Sequence, residues 1–148
     1  MKLKQEGIHT AVDTCGFVSR EALDEVIPYT DLFLYDIKAI SEDVHISCTG
    51  QSNRAILDNL LYLDSLGKRI EIRIPYVPGY NSNEIGKIAE FISMLKNVTD
   101  VRILQYHKLA GSKYDALGLI NTLPDRTPTE REIAEANELL FSIVRLNK

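Results

Sequence analysis

Asp31-Leu32-Phe33-Leu34-Tyr35-Asp36-Ile37-Lys38 is a short apolar run that closes on an acid and a base two residues apart. Its length and aromatic content read as a strand, and on a strand Asp36 and Lys38 share one face. Three other runs repeat the design. Ile8-His9-Thr10-Ala11-Val12 leads into Asp13-Thr14-Cys15-Gly16, and Val101-Arg102-Ile103-Leu104 into Gln105-Tyr106-His107. Ile70-Glu71-Ile72 leads into Arg73-Ile74-Pro75 and Val77-Pro78-Gly79. If the four runs are parallel strands, all four polar sets lie at carboxyl ends, where α/β barrels and open α/β sheets hold their sites.

The intervening segments read as helices. Ser19 caps the first, with Glu21 in its opening turn, and it ends near Pro28. Ser41 caps a short helix carrying Glu42 and Asp43. Ser52 caps a longer one, whose Ile56, Leu57, Leu60, Leu61 and Leu63 recur at helical spacing and which stops at Gly67. Asn81-Ser82-Asn83-Glu84 resembles a capping box opening a helix with the core face Ile85, Ile88, Phe91, Ile92 and Leu95. Further strands are expected at Arg69 to Tyr76 and Asp100 to Tyr106, and an irregular stretch at His107 to Arg126. Thr127-Pro128-Thr129-Glu130 reads as a second capping box with proline at the first helical position, and its helix runs to about Arg145.

Strand followed by helix thus occurs four times, with crossovers long enough for parallel pairing. The expectation is an α/β fold of four parallel β-α units in a single domain over residues 1–148. Four units cannot close an eight-stranded barrel, so the sheet is either small and open or part of a larger barrel.

Composition narrows the function classes. A 148-residue chain that is 45% hydrophobic suits one domain burying roughly 70% of its extended surface. A net charge of −4 and a pI near 5.4 argue against a nucleic-acid surface. No apolar run approaches the roughly 20 residues that cross a bilayer, and no signal region follows the charged amino terminus. The expected compartment is the cytoplasm, with no membrane or nucleic-acid partner. Cys15 and Cys48 make neither a disulfide framework nor a zinc site, and an iron–sulfur cluster needs about three or four thiolates.

Each candidate site residue has two readings. Asp13 and Thr14 could meet ribose hydroxyls or a cation, or cap a turn. Asp36 and Lys38 could grip a zwitterionic ligand or pair with each other. Arg73, inside an apolar strand, needs a partner, either a ligand carboxylate or a structural aspartate. His107 could stack on a base or cap a strand end. His9 and His45 read as structural, and Cys15 and Cys48 as small buried fillers.

Taken together, Gly7 to Phe17, Asp31 to Lys38, Thr49-Gly50 with Asn53, Arg73 with Val77-Pro78-Gly79, and Leu104-Gln105-Tyr106-His107 with Gly111, Lys113 and Tyr114 resemble the glycyl-radical-enzyme activating enzymes. These are radical S-adenosylmethionine proteins, and the pyruvate formate-lyase activator is their best-known type. The resemblance runs through the whole chain in the family's order.

It implies S-adenosylmethionine and a [4Fe-4S] cluster as cofactors in the full-length family. It also implies a partial (β/α)6 TIM-like barrel and anaerobic oxidoreductase chemistry on a glycyl radical enzyme such as pyruvate formate-lyase. Flavodoxin or ferredoxin would donate the electron. By motif, Asp13 and Thr14 lie near the ribose, with a monovalent cation near Asp13, Thr14 and Asp36. Asp36 and Lys38 line the methionine end, Arg73 meets its charge, and His107 lies near the adenosine.

The family's Cys-x3-Cys-x2-Cys loop and Gly-Gly-Glu segment are not in this sequence. The chain therefore resembles the carboxyl-terminal two-thirds of the barrel, with its first residues inside a helix. No catalytic residue is assigned to it, no cluster is expected in it, and on its own it should be inactive. Its Ile8–Val12 strand would be an exposed edge open to self-association. The alternatives are a small nucleoside-binding module and an interaction subunit completed by another polypeptide. Partner contacts are expected between Lys108 and Arg126, on the loops of the site face.

Overall fold

Four strands, β1 (Ala11–Thr14), β2 (Leu32–Asp36), β3 (Ile70–Tyr76) and β4 (Val98–Gln105), form one parallel sheet in the order β1-β2-β3-β4. This computed structural model describes residues 2–108, 114, 116–118, 120 and 124–146. The helices are α1 (Lys2–Gln5), α2 (Arg20–Val26), α3 (Glu42–Thr49), α4 (Arg54–Ser65), α5 (Ile85–Ser93) and α6 (Glu130–Ile143). Each new strand is added beside the last without reversal. Barrel walls are wound this way, whereas a doubly wound open sheet reverses its order at a switch point.

The two faces of the sheet differ. Phe33, Tyr35 and Ile37 on one side of β2, and Ile70, Ile72 and Ile74 on the same side of β3, are all buried in one core. Leu23 of α2, Ile56, Leu60 and Leu63 of α4, and Ile85, Ile88 and Ile92 of α5 join them there. Phe91 and Leu95, expected on the core face of α5, pack against this core half-buried. The alternate positions Asp36, Glu71 and Arg73 point to the other face and are only partly covered.

Several boundaries differ from the expected ones for local reasons. β1 starts at Ala11 rather than Ile8, because the end of α1 claims the preceding residues. Gly7 is left-handed (φ 69°), its N–H donates to the Lys4 carbonyl, and the Ile8 N–H donates to the Leu3 carbonyl, the double bond of a Schellman turn. Lys2–Gln5 is helical, while Met1, which the resemblance places inside a helix, lies outside the described residues.

The caps shift too. Ser19 caps α2 as expected, accepting from the Ala22 N–H at 3.3 Å. Asn53, not Ser52, occupies the N-cap of α4. At α6 the capping box is Thr129 with Glu132, two residues later than expected. The two boxes overlap in sequence. Arg126, which donates to both carboxylate oxygens of Glu132 at 2.7 Å, reinforces the second. Together Arg126 and the Thr129 N–H lower the Glu132 pKa to about 2. Helix α6 packs on α5 and β4 and ends at Ile143, short of Arg145.

Candidate functional site

Strand register brings the polar ends together. Asp36 of β2 lies opposite Arg73 of β3, while Asp13 of β1 lies opposite Leu34. The guanidinium of Arg73 reaches both acids. Its Nε donates to Asp36 Oδ1 at 2.9 Å and its Nη1 to Asp13 Oδ2 at 2.7 Å. Nη2 contacts Asp13 Oδ1 and also lies 2.8 Å from Asp36 Oδ1. The Asp13 pair is bidentate, the geometry that suits a planar fork to a carboxylate. The Arg73 hydrogen bonds hold the Asp13 carboxyl below its usual range, and the two acids raise the arginine in turn. Of the two readings of Arg73, the structural-aspartate one is seen.

Lys38 continues this constellation just past the end of β2. Its Nζ lies 3.7 Å from Asp36 Oδ2, a looser contact than those of Arg73, and its side chain is 34% exposed. Thr14 takes the turn-capping role, its Oγ1 accepting from the Gly16 N–H at 2.9 Å. His107 stands exposed beyond β4, and among the described residues no hydrogen bond or ion pair joins it to the other candidates. The structure thus links Asp13, Asp36, Lys38 and Arg73, keeps Thr14 in the adjacent turn, and leaves His107 apart.

Gly16 makes that turn possible. It is left-handed (φ 71°), and a Cβ there would lie 1.6 Å from the Tyr35 hydroxyl. That hydroxyl donates to the Ile56 carbonyl at 2.6 Å, and Asn59 Nδ2 donates to the Gly16 carbonyl at 2.9 Å. The end of β1 is therefore pressed directly onto β2 and α4.

Two apolar cavities adjoin Lys38. One, of about 210 Å³, is bordered by Lys38, Cys48, Thr49, Val77, Tyr80 and Asn81, with Tyr114 and Pro124 also in its wall. The other, of about 160 Å³, is bordered by Cys15, Phe17, Lys38, His45, Thr49 and Ile56. Lys38 and Thr49 belong to both walls. Cys15 and Cys48 are therefore not the buried fillers expected. Both are half-buried cavity-wall residues, because the α3 and β1 ends where they sit face the site rather than the core.

His45 is buried, as a structural histidine should be, with Nδ1 2.8 Å from the Gln51 carbonyl. His9 is at the surface. In the expected partner-contact stretch, Gly111 and Lys113 lie outside the described residues, while the Tyr106 hydroxyl donates to the Pro124 carbonyl at 3.3 Å.

The residues to which sequence reasoning assigned no site role of their own are Asn53, Asn81 and Glu84. All three are buried polar side chains directed at the backbone of the site loops. Asn81 and Glu84 read in sequence as helix caps, and nothing in their spacing marks a tertiary target.

Comparison with known proteins gives one family and a consistent set of relatives. Residues 1–92 match the Radical SAM superfamily. The chain is 46% identical over 118 residues to the trans-4-hydroxy-L-proline dehydratase activating enzyme of Clostridioides difficile, covering 77% of this chain and 39% of that protein. It is 36% identical over 148 residues to the pyruvate formate-lyase-activating enzyme of Streptococcus mutans, covering 94% of this chain and 56% of that one. Among solved structures, a domain of a pyruvate-formate lyase-activating enzyme from Bacteroides vulgatus superposes with a TM-score of 0.78 at 28% identity, covering 96% of this chain and 81% of that one. The chain thus spans 39% and 56% of the length of those two relatives.

Proposed function

Because this chain belongs to the radical SAM superfamily, we propose that it is part of a glycyl-radical-enzyme activase and forms one wall of its S-adenosylmethionine pocket. The supporting observation is the convergence of Asp13, Asp36, Lys38 and Arg73 at the carboxyl ends of three adjacent strands, beside a cavity of about 210 Å³. The four β-α units are the carboxyl-terminal two-thirds of a six-unit partial barrel in this reading. The partner in this reading is a glycyl radical enzyme, and the relatives' names give a trans-4-hydroxy-L-proline dehydratase and a pyruvate formate-lyase as the enzymes that they activate.

The iron–sulfur cluster does not fit the residues of this chain. Such clusters take about three or four thiolates, whereas the chain has two cysteines, on the walls of different cavities. Among the described residues no group of three or more His, Cys, Asp or Glu could hold a metal ion. The cosubstrate fits better, since Lys38 brings a partly exposed ammonium to the shared wall of two cavities, a match for the carboxylate at its methionine end, with apolar walls left for its methylenes and adenine ring. S-adenosylmethionine held by these residues would supply, once cleaved by an electron delivered from outside this chain, the radical for hydrogen-atom transfer from the partner's glycine.

The chain's own residues bind and orient. Lys38 holds the aminoacyl carboxylate as a point charge. Arg73 is engaged by Asp13 and Asp36, so it fixes those two acids and offsets part of their charge. Asp13, the more exposed of the two, offers its carboxylate to the ribose hydroxyls. Val77, Pro75 and Ile56 exclude water from the ligand. A monovalent cation near Asp13, Thr14 and Asp36 would compete with Arg73 for the same two carboxylates. β1 is an edge strand, and light scattering tests self-association through it.

The test is a fusion of this chain to the cluster-bearing segment of the hydroxyproline dehydratase activase, assayed for 5′-deoxyadenosine after anaerobic reconstitution. Turnover that falls about tenfold or more in Lys38→Ala, the size of a lost charge-assisted hydrogen bond, supports the reading. Equal turnover by fusions with and without Lys38 sinks it.

A further inference from the structure

Residues 38–41 carry the chain from β2 into α3, outside both the sheet and the helix. Among the described residues six polar side chains are buried, and three of them, Asn53, Asn81 and Glu84, are spent on this one segment. Each is at most 3% exposed. Burying a polar group is costly unless it is fully bonded, so their concentration at a four-residue connection calls for a reason.

The bonding is divided by residue. Asn53 Nδ2 donates to the Ala39 carbonyl at 3.0 Å and to the Ile40 carbonyl at 2.8 Å. Glu84 Oε2 accepts from the Ile40 N–H at 3.0 Å and the Ser41 N–H at 2.7 Å. Glu84 Oε1 accepts from the Ser41 hydroxyl at 2.9 Å and from Lys87 Nζ at 3.0 Å. Burial works against the Glu84 charge, but these donors outweigh it and leave the carboxyl below its usual range.

Asn81 ties two strand ends together. Its Nδ2 donates to the Lys38 carbonyl at 2.8 Å and to the Pro75 carbonyl at 2.6 Å, while its Oδ1 accepts from the Val77 N–H at 2.8 Å. One amide thus spans the end of β2, where Lys38 sits, and the end of β3, two residues beyond Arg73.

We propose that Asn53, Asn81 and Glu84 are positioning residues, a clamp that fixes Lys38 against the ends of β2 and β3 without touching whatever Lys38 binds. The inference rests on Lys38 being a ligand-binding residue, as proposed above. It also explains the caps: Asn81 and Glu84 do not cap their own helix because their side chains are committed to the site loop. The amide at Asn81 has to be an amide. Aspartate has the same shape but no donor, and would set a carboxylate against two carbonyls.

The experiment reads Lys38 directly in this chain. A brief pulse of acetic anhydride, followed by mass spectrometry, gives the acylation rate of Lys38 relative to exposed Lys96, and amide hydrogen exchange reports Ile40 and Ser41. Asn81→Asp and Asn53→Asp should each raise the relative Lys38 rate about threefold, the size of a released ion-pair contact. Glu84→Ala should speed exchange at Ile40 and Ser41, and Glu84→Gln, which keeps an acceptor oxygen, should largely restore protection.

Asn97→Asp is the stability control. Asn97 bonds to Asp64 just before β4, away from the strand ends of the site, so its loss should lower the melting temperature and leave Lys38 alone. An unchanged Lys38 rate in both asparagine variants, or an equal rise in Asn97→Asp, overturns the clamp. If Asn81→Asp does not fold, Asn53→Asp and Glu84→Ala decide. Addition of S-adenosylhomocysteine separates the two readings. If it fails to slow Lys38 acylation in the parent chain while the variants still raise it, the cosubstrate assignment fails and the clamp stands.

Discussion

The two faces of this sheet are built from the same strands and obey different rules. Along β3, Ile70, Ile72 and Ile74 face the helices and are fully buried, while Glu71 and Arg73 between them face the other side. Parallel sheets usually read as near-continuous apolar runs because both faces are covered by apolar side chains. Here one face is packed by shape and the other is held by charge. Arg73 is neutralised by Asp13 and Asp36, and beside it Arg102 by Glu71 and Asp100. The difference teaches that apolar packing and ion pairing are assigned to opposite sides of β3, residue by residue.

Adjacent residues put that division to a measurement. Ile72→Ala opens a cavity in the packed face and should cost about 2–5 kcal/mol in urea denaturation. Gly16→Ala comes next, at about 2–3 kcal/mol, since its Cβ would collide with the buried Tyr35 hydroxyl in a left-handed backbone. Arg73→Met, one residue from Ile72 but on the charged face, should cost only about 1 kcal/mol, because Asp13 remains largely solvated once its partner is gone. A loss in Arg73→Met as large as that in Ile72→Ala would erase the distinction between the faces.

The division was half legible in the sequence. The alternation Ile70-Glu71-Ile72-Arg73-Ile74 has the strand period, and its charged members fall at strand ends, so fold class and the Asp13, Asp36, Lys38 and Arg73 set could be read from pattern. What Arg73 bonds could not. Its partners are 37 and 60 residues away, and register across two strand pairs decides between a ligand and an aspartate. The caps failed for the same reason. Asn81 and Glu84 carry the right groups for local bonds, but burial offers them tertiary partners, and a buried bond left unmade costs more than a solvated cap; Ser41 stands at the N-cap of α3 as expected, with its hydroxyl given to Glu84. Thr127 lost to Thr129 because Arg126 is placed to reach Glu132, which spacing does not encode.

The faces should also part company at opposite ends of the pH scale. On the charged face the Asp13 pKa is lowered, by the Arg73 hydrogen bonds first of all. A lowered carboxyl stabilises the fold above its unfolded pKa, and that contribution is lost as pH falls through the lowered native value. On the packed face, burial raises the Tyr35 phenol above its usual range. Its contribution is intact below the unfolded phenol pKa and is lost as pH rises from there through the raised native value, because the unfolded chain can ionise the tyrosine and the folded core resists it. Denaturation midpoints measured across pH should therefore show an acid limb that flattens in Asp13→Asn and an alkaline limb that flattens in Tyr35→Phe. The acid change will be the smaller, since Asp13 is 64% exposed and water already screens its pair. An acid limb untouched by Asp13→Asn would mean that Arg73 is held chiefly by Asp36, and would move the electrostatic centre of the site from β1 to the β2–β3 pair.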